Sequence, residues 1–393
     1  MSRGHVRKQG RSSWELKFDV ARDPLTGRRV TKFKTFRGTR RKAEEELTRL
    51  LSQRDQGTFL EPTKQTVAQF LLHWLEADVD RRLAARTAAR HREIVQRNIN
   101  PRLGHFPVRS LTPAHIEAFE ADLQREGWVR RRAVRKANAD GQLPKLGLSA
   151  QTVLHVHRTL SQALNHAVRI GVLYRNPAQQ VRPPRPPRRE IKILTKEEIG
   201  GLLQAAHGSE LQLPILLSLT TGVRRGELLG LRWSDIDLDS GRLTVNQALE
   251  RVKGSTAFKP PKTATSRRTI TLPVACVNAL KEHRARQAEQ RLALGLGRDP
   301  RALVLAQPDG GPLGPDGLSK AFKRLVERIR VTPITFHGLR HTHISHLLME
   351  GVHVKVVSER AGHANVSITL SVYAACIPNM QADAALRVDA WLR

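Results

Sequence analysis

The chain has few acidic residues, almost no cysteine and no long apolar run, and these shortages bear on its partners and its class. Its 393 residues include 36 Asp and Glu against 67 Lys and Arg, which gives a net charge of +31 and a pI near 11.4. A field of this sign attracts polyanions over a long range, so we expect nucleic acid as the partner. The length exceeds that of one ordinary core and predicts two or three domains.

The shortage of cysteine and of long apolar runs argues against a secreted or a membrane protein. Cys276 and Cys376 are the only two cysteines, which are too few for a disulfide framework and suit a reducing cytosol. No run approaches the roughly 18 apolar residues of a membrane-spanning helix. Residues 1–11 carry charge without an apolar core, so they do not form a secretory signal. We therefore expect a cytoplasmic, nucleoid-associated protein with no membrane partner.

The first 62 residues have the pattern of a small sheet followed by one helix. Apolar and polar residues alternate over Trp14–Val20 and Val30–Phe36, as they do in half-buried strands. Thr39–Gln56 has the pattern of a helix that begins with a threonine cap. The sequence therefore predicts a separate basic module at residues 1–62.

Residues 65–178 are expected to be all-helical. The predicted helices are Thr66–Glu76, Ala88–Ile99, Thr112–Glu126 and Ser149–Ile170. The last two flank a basic run, which is either a solvated loop or a phosphate contact; its charged residues are Arg130, Arg131, Arg132, Arg135 and Lys136. The proline-rich stretch VRPPRPPRR favours an extended path. We therefore expect a linker at 179–192, a third domain at 193–378 and a tail at 379–393.

The third domain contains five spaced groups of residues that could hold and attack a phosphodiester. Arg224 follows a Thr-Gly turn, and Glu227 lies three residues later on the same helical face. His337 and Arg340 also share a helical face. A single Arg-x-x-Glu would usually be a surface ion pair, but here it lies in the longer stretch TGVRRGELLGLRWSDIDL.

The remaining groups are a lysine, a histidine and a tyrosine. Lys253, Lys259 and Lys262 compete for the lysine position, and strand patterns on both sides suggest a β-hairpin. His363 follows a glycine, and Tyr373 lies ten residues after it. The chain has one other tyrosine, Tyr174, at the end of a predicted helix, where we expect it to pack.

Two stretches have part of a metal-site pattern but depart from it at the positions that matter. Residues 235–241 (DIDLDSG) resemble the start of a calcium loop, but the glycine and the final glutamate are misplaced, so a β-hairpin is expected. His337 and His341 have the helical spacing of zinc ligands, and His343 and His346 follow. No HExxH glutamate and no nearby cysteine accompanies them. We expect neither a metal nor any other cofactor.

Taken in order, these groups resemble the tyrosine recombinase family, the phage-type integrases. The motif KTxxSxRTI favours Lys262 as the family's lysine, and the segment HGLRHTHISHLL fits the motif of the second arginine. The resemblance covers about residues 1–378. It implies a multidomain fold: a small N-terminal β-sheet plus helix module that binds arm-type DNA, an all-α core-binding domain, and a mainly α catalytic domain with a small β-hairpin or sheet. In the arm-type module the sheet enters the major groove, which makes Lys32 and Lys34 candidate DNA contacts.

The resemblance also implies a mechanism. The expected catalytic residues are Arg224, Lys262, His337, Arg340, His363 and Tyr373, with Glu227 in support. Tyr373 attacks the phosphodiester and forms a 3′-phosphotyrosine, without ATP or a divalent metal. The expected partners are double-stranded attachment-site DNA, further copies of the chain in a tetramer, and accessory DNA-bending or directionality factors.

Three alternatives stay open at the level of sequence. A chromosome-resolution recombinase usually lacks an arm-type module, and a type IB topoisomerase relaxes DNA without exchanging partners. A DNA-binding relative without activity would be a different class of protein. Because every motif position is filled, we favour the integrase of a prophage or mobile element.

Overall fold

The structure is a computed structural model that describes residues 4–22, 29–56, 64–127, 147–187, 190–252, 255–260, 267–297, 299–373 and 380–392. It contains two compact units, Met1–Pro187 and Arg188–Arg393. Both are mainly helical and carry small sheets. None of the helices in the described ranges has the length and apolar character that crossing a bilayer requires.

The first unit begins with a three-stranded antiparallel sheet and one helix. The elements are β1 (His5–Lys8), β2 (Ser13–Arg22), β3 (Arg29–Arg37) and α1 (Arg40–Asp55), with β2 in the middle of the sheet. The two predicted strands and the helix are confirmed, whereas β1 was not predicted. Leu16 and Phe18 of β2 form a small core with Ala43, Leu47 and Leu50 of α1. The alternation of β2 places these apolar side chains on one face, which α1 covers.

The rest of the first unit is helical, as predicted. Its helices are α2 (Val67–Trp74), α3 (Asp80–Arg82), α4 (Ala85–Ile94), α5 (Asn100–Leu103), α6 (Pro113–Glu126) and α7 (Ala150–Arg169), with π-helical turns at Leu75–Val79 and Val95–Ile99. Thr66, Thr112 and Ser149 cap α2, α6 and α7 through their hydroxyl groups. The helices enclose one apolar core in which Phe70, Trp74 and other side chains are fully buried.

The second unit combines nine further helices, among the described residues, with two small sheets. The helices are α8 (Lys196–Ala206), α9 (Gln212–Thr221), α10 (Arg225–Leu229), α11 (Val274–Ala293), α12 (Pro315–Ile329), α13 (Phe336–Met349), α14 (Val354–Ala361), α15 (Val366–Tyr373) and α16 (Met380–Trp391). A capping box between Thr195 and Glu198 begins α8.

The strands of the second unit form a three-stranded sheet and a separate hairpin. They are β4 (Ile236–Asp237), β5 (Arg242–Val245), β6 (Ala248–Val252), β7 (Ser255–Lys259) and β8 (Arg268–Thr271). The sheet has the order β4-β5-β8, and β6 pairs with β7. Because β4 and β5 pair antiparallel across residues 238–241, the hairpin expected in place of a calcium loop is confirmed.

Candidate active site

The first predicted arginine lies in a tight turn between two helices. Helix α9 ends at Thr221, and Gly222 caps it in the left-handed conformation with a φ of 64°. A Cβ atom at Gly222 would lie 2.5 Å from Cδ2 of His343, so both the backbone angle and the available space require glycine. Arg224 follows as the N-cap residue of α10 with extended backbone angles. The turn therefore sets the direction in which Arg224 leaves the backbone.

A buried carboxylate joins two arginines. Arg224 donates to Glu227 from its backbone nitrogen at 2.9 Å and from Nη1 at 2.8 Å. Arg268, at the start of β8, donates from Nη2 to Oε2 of Glu227 at 2.8 Å. Burial raises the pKa of Glu227, but the hydrogen bond and charge of Arg268, helped by Arg224, outweigh burial and hold the pKa below its ordinary value. Glu227 is therefore ionised at neutral pH and orients both guanidinium groups.

The same two arginines hold the turn that precedes His363. Nη2 of Arg224 donates to the carbonyl oxygen of Gly362 at 2.9 Å, and Nε of Arg268 donates to that of Arg360 at 2.8 Å. Gly362 has a φ of 64°, and a Cβ atom there would lie 2.7 Å from Nη1 of Arg268. The guanidinium of Arg268 thus packs directly against a glycine turn, and the position of His363 depends on this contact.

The second predicted arginine is buried and only partly satisfied. Nη1 of Arg340 donates to the carbonyl oxygen of Gly222 at 2.6 Å, which links α13 to the turn before Arg224. Nη2 of Arg340 is buried and has no hydrogen-bond partner among the described residues. Burial, followed by repulsion from Arg224, lowers the pKa of Arg340 to about 9, so the guanidinium is still charged at neutral pH. A buried cationic N–H without an acceptor is costly, and an anion bound here would relieve that cost.

The predicted nucleophile is enclosed and touches a histidine. Tyr373 ends α15 and is 1% exposed, in a cluster with Ile344, Leu348 and Val357. Its hydroxyl oxygen lies 2.6 Å from Nδ1 of His341.

Two histidine rings stand side by side on α13. The ring of His341 meets that of His337 edge to face, with centroids 4.9 Å apart. Burial, with smaller effects from His341 and Arg340, lowers the pKa of His337 to about 4, and burial followed by repulsion from Arg340 lowers the pKa of His341. Both imidazoles are therefore neutral at pH 7 in the free chain.

The last predicted histidine is oriented by a buried threonine. Nδ1 of His363 lies 2.7 Å from the hydroxyl oxygen of Thr369, which is fully buried in α15. Burial, with repulsion from Arg340 and Arg224, lowers the pKa of His363 to about 4. The effects of these groups on one another's pKa show that four of the six predicted catalytic residues lie close together. Of these four, Arg224 and Arg340 are charged at neutral pH, whereas His337 and His363 are neutral. The contact of His341 with the Tyr373 hydroxyl joins Tyr373 to this cluster.

Comparison with known proteins identifies the family to which this cluster belongs. The model described as "Phage integrase family" matches residues 192–379, and that of the "Phage integrase, N-terminal SAM-like domain" matches residues 66–123. The tyrosine recombinase XerD of Corynebacterium glutamicum is 30% identical to this chain over 302 residues, which are 74% of this chain and 88% of the relative. The chain belongs to the phage integrase family of tyrosine recombinases.

Further relatives and solved structures agree. A XerC-like tyrosine recombinase of Caldanaerobacter subterraneus is 35% identical over 62% of this chain and 67% of the relative. An integrase of Streptomyces ambofaciens is 27% identical over 92% of this chain and 89% of the relative. The Tn1549 transposon integrase with transposon right end DNA has a TM-score of 0.63 at 22% identity, covering 78% of this chain and 94% of that one. A lambda integrase dimer on a core site has a TM-score of 0.55 at 20% identity, covering 94% of each chain.

These findings confirm the predicted family, the mainly helical fold with small sheets, and the class of enzyme. The protein is a site-specific tyrosine recombinase.

The predicted lysine of this tyrosine recombinase and its basic run at residues 130–136 lie outside the described residues. Lys262 falls within residues 261–266, and Arg130, Arg131, Arg132, Arg135 and Lys136 fall within residues 128–146. The strands that flank Lys262 are described: β7 pairs with β6, and β8 pairs with β5. The expected single hairpin around Lys262 is therefore replaced by two strands that belong to different sheets. Its competitor Lys259 is bound to Glu250 at 2.5 Å.

The two lysines proposed for DNA contact in the N-terminal module lie on the face of the sheet that α1 covers. Lys32 is paired opposite Phe18, and Lys34 opposite Leu16. Lys34 also forms an ion pair with Glu46 of α1, with 2.7 Å between Nζ and Oε1. The opposite face presents Phe33, which is 60% exposed, and Lys17, whose Nζ lies 5.7 Å from the Phe33 ring. Lys17 and Phe33 are therefore further candidates for DNA contact, which the alternation of the strands alone did not indicate.

Three side chains of the sequence analysis have other roles. Tyr174 is 59% exposed, so the expectation that it packs was wrong; it lies in a bend between α7 and a short 3₁₀ turn, beyond the apolar face of the helix. His343 contacts the carbonyl oxygen of Leu219 through Nδ1 at 2.7 Å, and His346 contacts that of Leu194 through Nε2 at 2.8 Å. These two histidines support the packing of α13 and point to partners different from those of His337 and His341.

Proposed function

We propose that this recombinase integrates and excises a prophage or another mobile element, by cutting and rejoining DNA through a 3′-phosphotyrosine bond. The observation that carries the proposal is the buried guanidinium of Arg340, whose Nη2 has no acceptor among the described residues. It lies within electrostatic reach of Arg224, His363 and Tyr373. A phosphodiester supplies both the negative charge and the acceptor oxygens that such a group requires.

Arg224 and Arg340 bind the nonbridging oxygens of the scissile phosphate. Two planar guanidinium groups match phosphate oxygens and neutralise the charge that repels a nucleophile. The charge on those oxygens grows in the pentacovalent transition state, so the two arginines stabilise it more strongly than the substrate. Glu227 and Arg268 hold this arrangement by the hydrogen bonds that run between them.

Tyr373 forms the covalent link. Its oxygen bonds to phosphorus while the bond between phosphorus and the 5′ oxygen breaks, which leaves a 3′-phosphotyrosine and a free 5′-hydroxyl. Lys262 protonates the leaving oxygen, His337 serves in acid–base catalysis, and His363 donates a hydrogen bond to the phosphate. A hydroxyl from a second strand then reverses the step. Because the covalent bond conserves the energy of the phosphodiester, neither ATP nor a divalent metal is required.

The domain plan assigns binding to the parts outside the catalytic domain. Residues 1–62 bind arm-type sites, residues 65–178 clamp the core site with help from the basic run at 130–136, residues 179–192 link the two halves, and residues 193–378 catalyse. Strand exchange involves a tetramer on DNA, with accessory DNA-bending or directionality factors. The protein acts in the cytoplasm, at the nucleoid, because its DNA substrate lies there.

An integrase of a mobile element is favoured over a chromosome-resolution recombinase because an integrase aligns with a larger share of this chain. The Streptomyces ambofaciens integrase aligns with 92% of this chain, whereas the Corynebacterium glutamicum XerD protein aligns with 74%. The N-terminal sheet and helix module also argues against a type IB topoisomerase.

Covalent capture tests the proposal. A nicked half-site substrate is incubated with the protein in excess EDTA and without nucleotide, and the protein attached to the 3′ end is measured. We expect capture by the wild type, and none by Tyr373→Phe, which should still bind the site. Wild-type capture by Tyr373→Phe would overturn the assignment of the nucleophile, and dependence on added Mg²⁺ would overturn the metal-free mechanism.

A further inference from the structure

His341 contacts the atom that attacks DNA in the proposed mechanism. Its Nδ1 lies 2.6 Å from the hydroxyl oxygen of Tyr373, and the two ring centroids are 5.6 Å apart. Tyr373 is 1% exposed, so bulk water has little access to its proton. The mechanism above gives the acid–base role to His337, yet the imidazole in contact with the Tyr373 hydroxyl is that of His341, and His337 only packs against it. The proton of Tyr373 is therefore assigned to His341, with His337 in a supporting position. We propose that His341 is the general base that takes the proton of Tyr373 during DNA cleavage; the proposal rests on the nucleophilic role of Tyr373 given above.

The proton transfer completes the balance of the cleavage step. The Nδ1 lone pair of His341 takes the hydroxyl proton while the tyrosine oxygen forms its bond to phosphorus. The phosphorus–5′-oxygen bond breaks, and that oxygen receives a different proton from Lys262. In rejoining, His341 returns its proton to the tyrosine oxygen as that oxygen leaves phosphorus. A tyrosine has a pKa of about 10, so at neutral pH only about one in a thousand is ionised without such help.

His341 has the protonation state that a base needs. Burial, followed by repulsion from Arg340, lowers the pKa of His341 below its ordinary value. A neutral imidazole with its proton on Nε2 offers Nδ1 as an acceptor. The charged and titratable groups that face it are Tyr373 from α15, His337 and Arg340 from its own helix, and His363 after α14.

Bound DNA makes the transfer favourable. In the free chain, Arg340 disfavours a proton on His341. A phosphodiester held by the two arginines cancels much of that repulsion, because its negative charge lies at the same cluster. His341 therefore becomes a stronger base when the scissile phosphate is in place. This arrangement couples activation of Tyr373 to correct binding of the core site.

The test compares two substitutions that separate basicity from contact. In His341→Asn the side-chain oxygen can replace Nδ1 as a hydrogen-bond acceptor but cannot hold a proton at neutral pH, and His341→Phe keeps only the ring. Cleavage of a nicked half-site is measured in a single turnover with the full-length protein. We expect both variants to bind the site and to cleave about 10²–10⁴ times more slowly at pH 7. His346→Asn, on the same helix, is the matched control and should cleave like the wild type, since His346 contacts the carbonyl oxygen of Leu194 rather than Tyr373.

The pH dependence of the cleavage rate distinguishes a base from a residue that only supports the structure, because loss of a purely structural contact would not change it. A substrate with a 5′-bridging phosphorothiolate removes the need for Lys262, so the remaining dependence reports deprotonation of Tyr373. We expect the rate of His341→Asn to rise about tenfold per pH unit between pH 7 and 9, as the tyrosinate fraction does. The wild-type rate should level off within that range. A wild-type rate that rises in parallel with the tyrosinate fraction would overturn the proposal, whether or not the variants fold.

Other outcomes separate this inference from the proposed function. The phosphorothiolate should restore cleavage to Lys262→Ala but not to His341→Asn at pH 7, because the two defects concern different protons. Cleavage by His341→Asn at the wild-type rate would reduce His341 to a packing residue, and faster cleavage would show that it restrains the nucleophile; either result rejects the proposal. Capture of DNA by Tyr373→Phe would instead reject the nucleophile itself.

Discussion

Replacing Arg268 by methionine should disconnect the catalytic cluster while leaving the shape of the side chain largely in place. The guanidinium is 7% exposed in its ion pair with Glu227, and it also binds the carbonyl oxygen of Arg360 at 2.8 Å. Methionine fills the space above Gly362 with an apolar chain of similar length but supplies no charge and no donor. Glu227 then keeps Arg224 as its partner and loses the stronger of its two hydrogen-bonded cations.

The expected loss of stability follows from burial. Removing one partner of a buried ion pair costs about 3–5 kcal/mol, because the other charge stays buried without compensation. Because Glu227 keeps its ion pair with Arg224, we expect a loss of stability at the lower end of this range, about 3 kcal/mol. For a unit of this size, that corresponds to a fall of about 6–12 °C in Tm. Cleavage should also fall by about 10²-fold, since a shift of about 1 Å in Arg224 or His363 is enough to misalign the phosphate.

The loss should depend on pH in a definite direction. In the wild type, the pKa of Glu227 lies below 4.5, so its carboxylate contributes stability above that pH and loses the contribution as the pH falls further. In Arg268→Met, burial prevails and raises the pKa of Glu227 above 4.5. As the pH falls, protonation of Glu227 removes the unpaired buried charge, so the variant recovers part of its lost stability. The difference in Tm between wild type and variant should therefore shrink between pH 7 and pH 5.

Calorimetry of the full-length protein at both pH values provides the measurement. Arg267→Met is the matched control, because Arg267 is the adjacent arginine and its side chain is exposed; we expect a change in stability within about 0.5 kcal/mol. An equal loss at pH 7 and pH 5, or an equal loss in the control, would refute the assignment of the effect to the buried pair.

Three further predictions concern regions that flank the cluster. Lys262→Ala should lose cleavage of ordinary DNA and regain it with a 5′-bridging phosphorothiolate, whereas a larger defect in Lys259→Ala would move the general acid to Lys259. Removal of residues 1–62 should abolish footprints at sites distant from the crossover and leave core-site cleavage intact; an unchanged footprint would contradict an arm-binding role. Trp391, which is 79% exposed at the end of α16, should anchor that helix on a neighbouring subunit, so Trp391→Ala should reduce tetrameric complexes in sedimentation without lowering Tm. A lower Tm with normal tetramers would place the tail on its own domain.

Local patterns were sufficient for most of the helices and strands of the first unit. Alternation predicted β2 and β3, and helical patterns predicted α2, α6 and α7, because these features depend on neighbours within a few residues. The pairing partners of the strands were harder to predict from the sequence. The two strands around Lys262 were expected to form one hairpin, yet they join different sheets, because pairing depends on which distant strand offers a free edge.

The sequence by itself predicted the candidate residues of the site and the order in which they occur. Motif wording identified the two arginines, the lysine, two histidines and Tyr373, because the chemistry of a phosphodiester restricts the side chains that can serve it. The tertiary structure decided which of these groups touch. Only the packing of β8 against the α10 turn reveals Arg268 as the link between Glu227 and the Gly362 turn, and only the packing of α15 on α13 brings His341 to Tyr373. These contacts join residues 32 to 92 positions apart, so the physical reason is that hydrogen bonds over such separations depend on how the helices and strands pack, which no local pattern records.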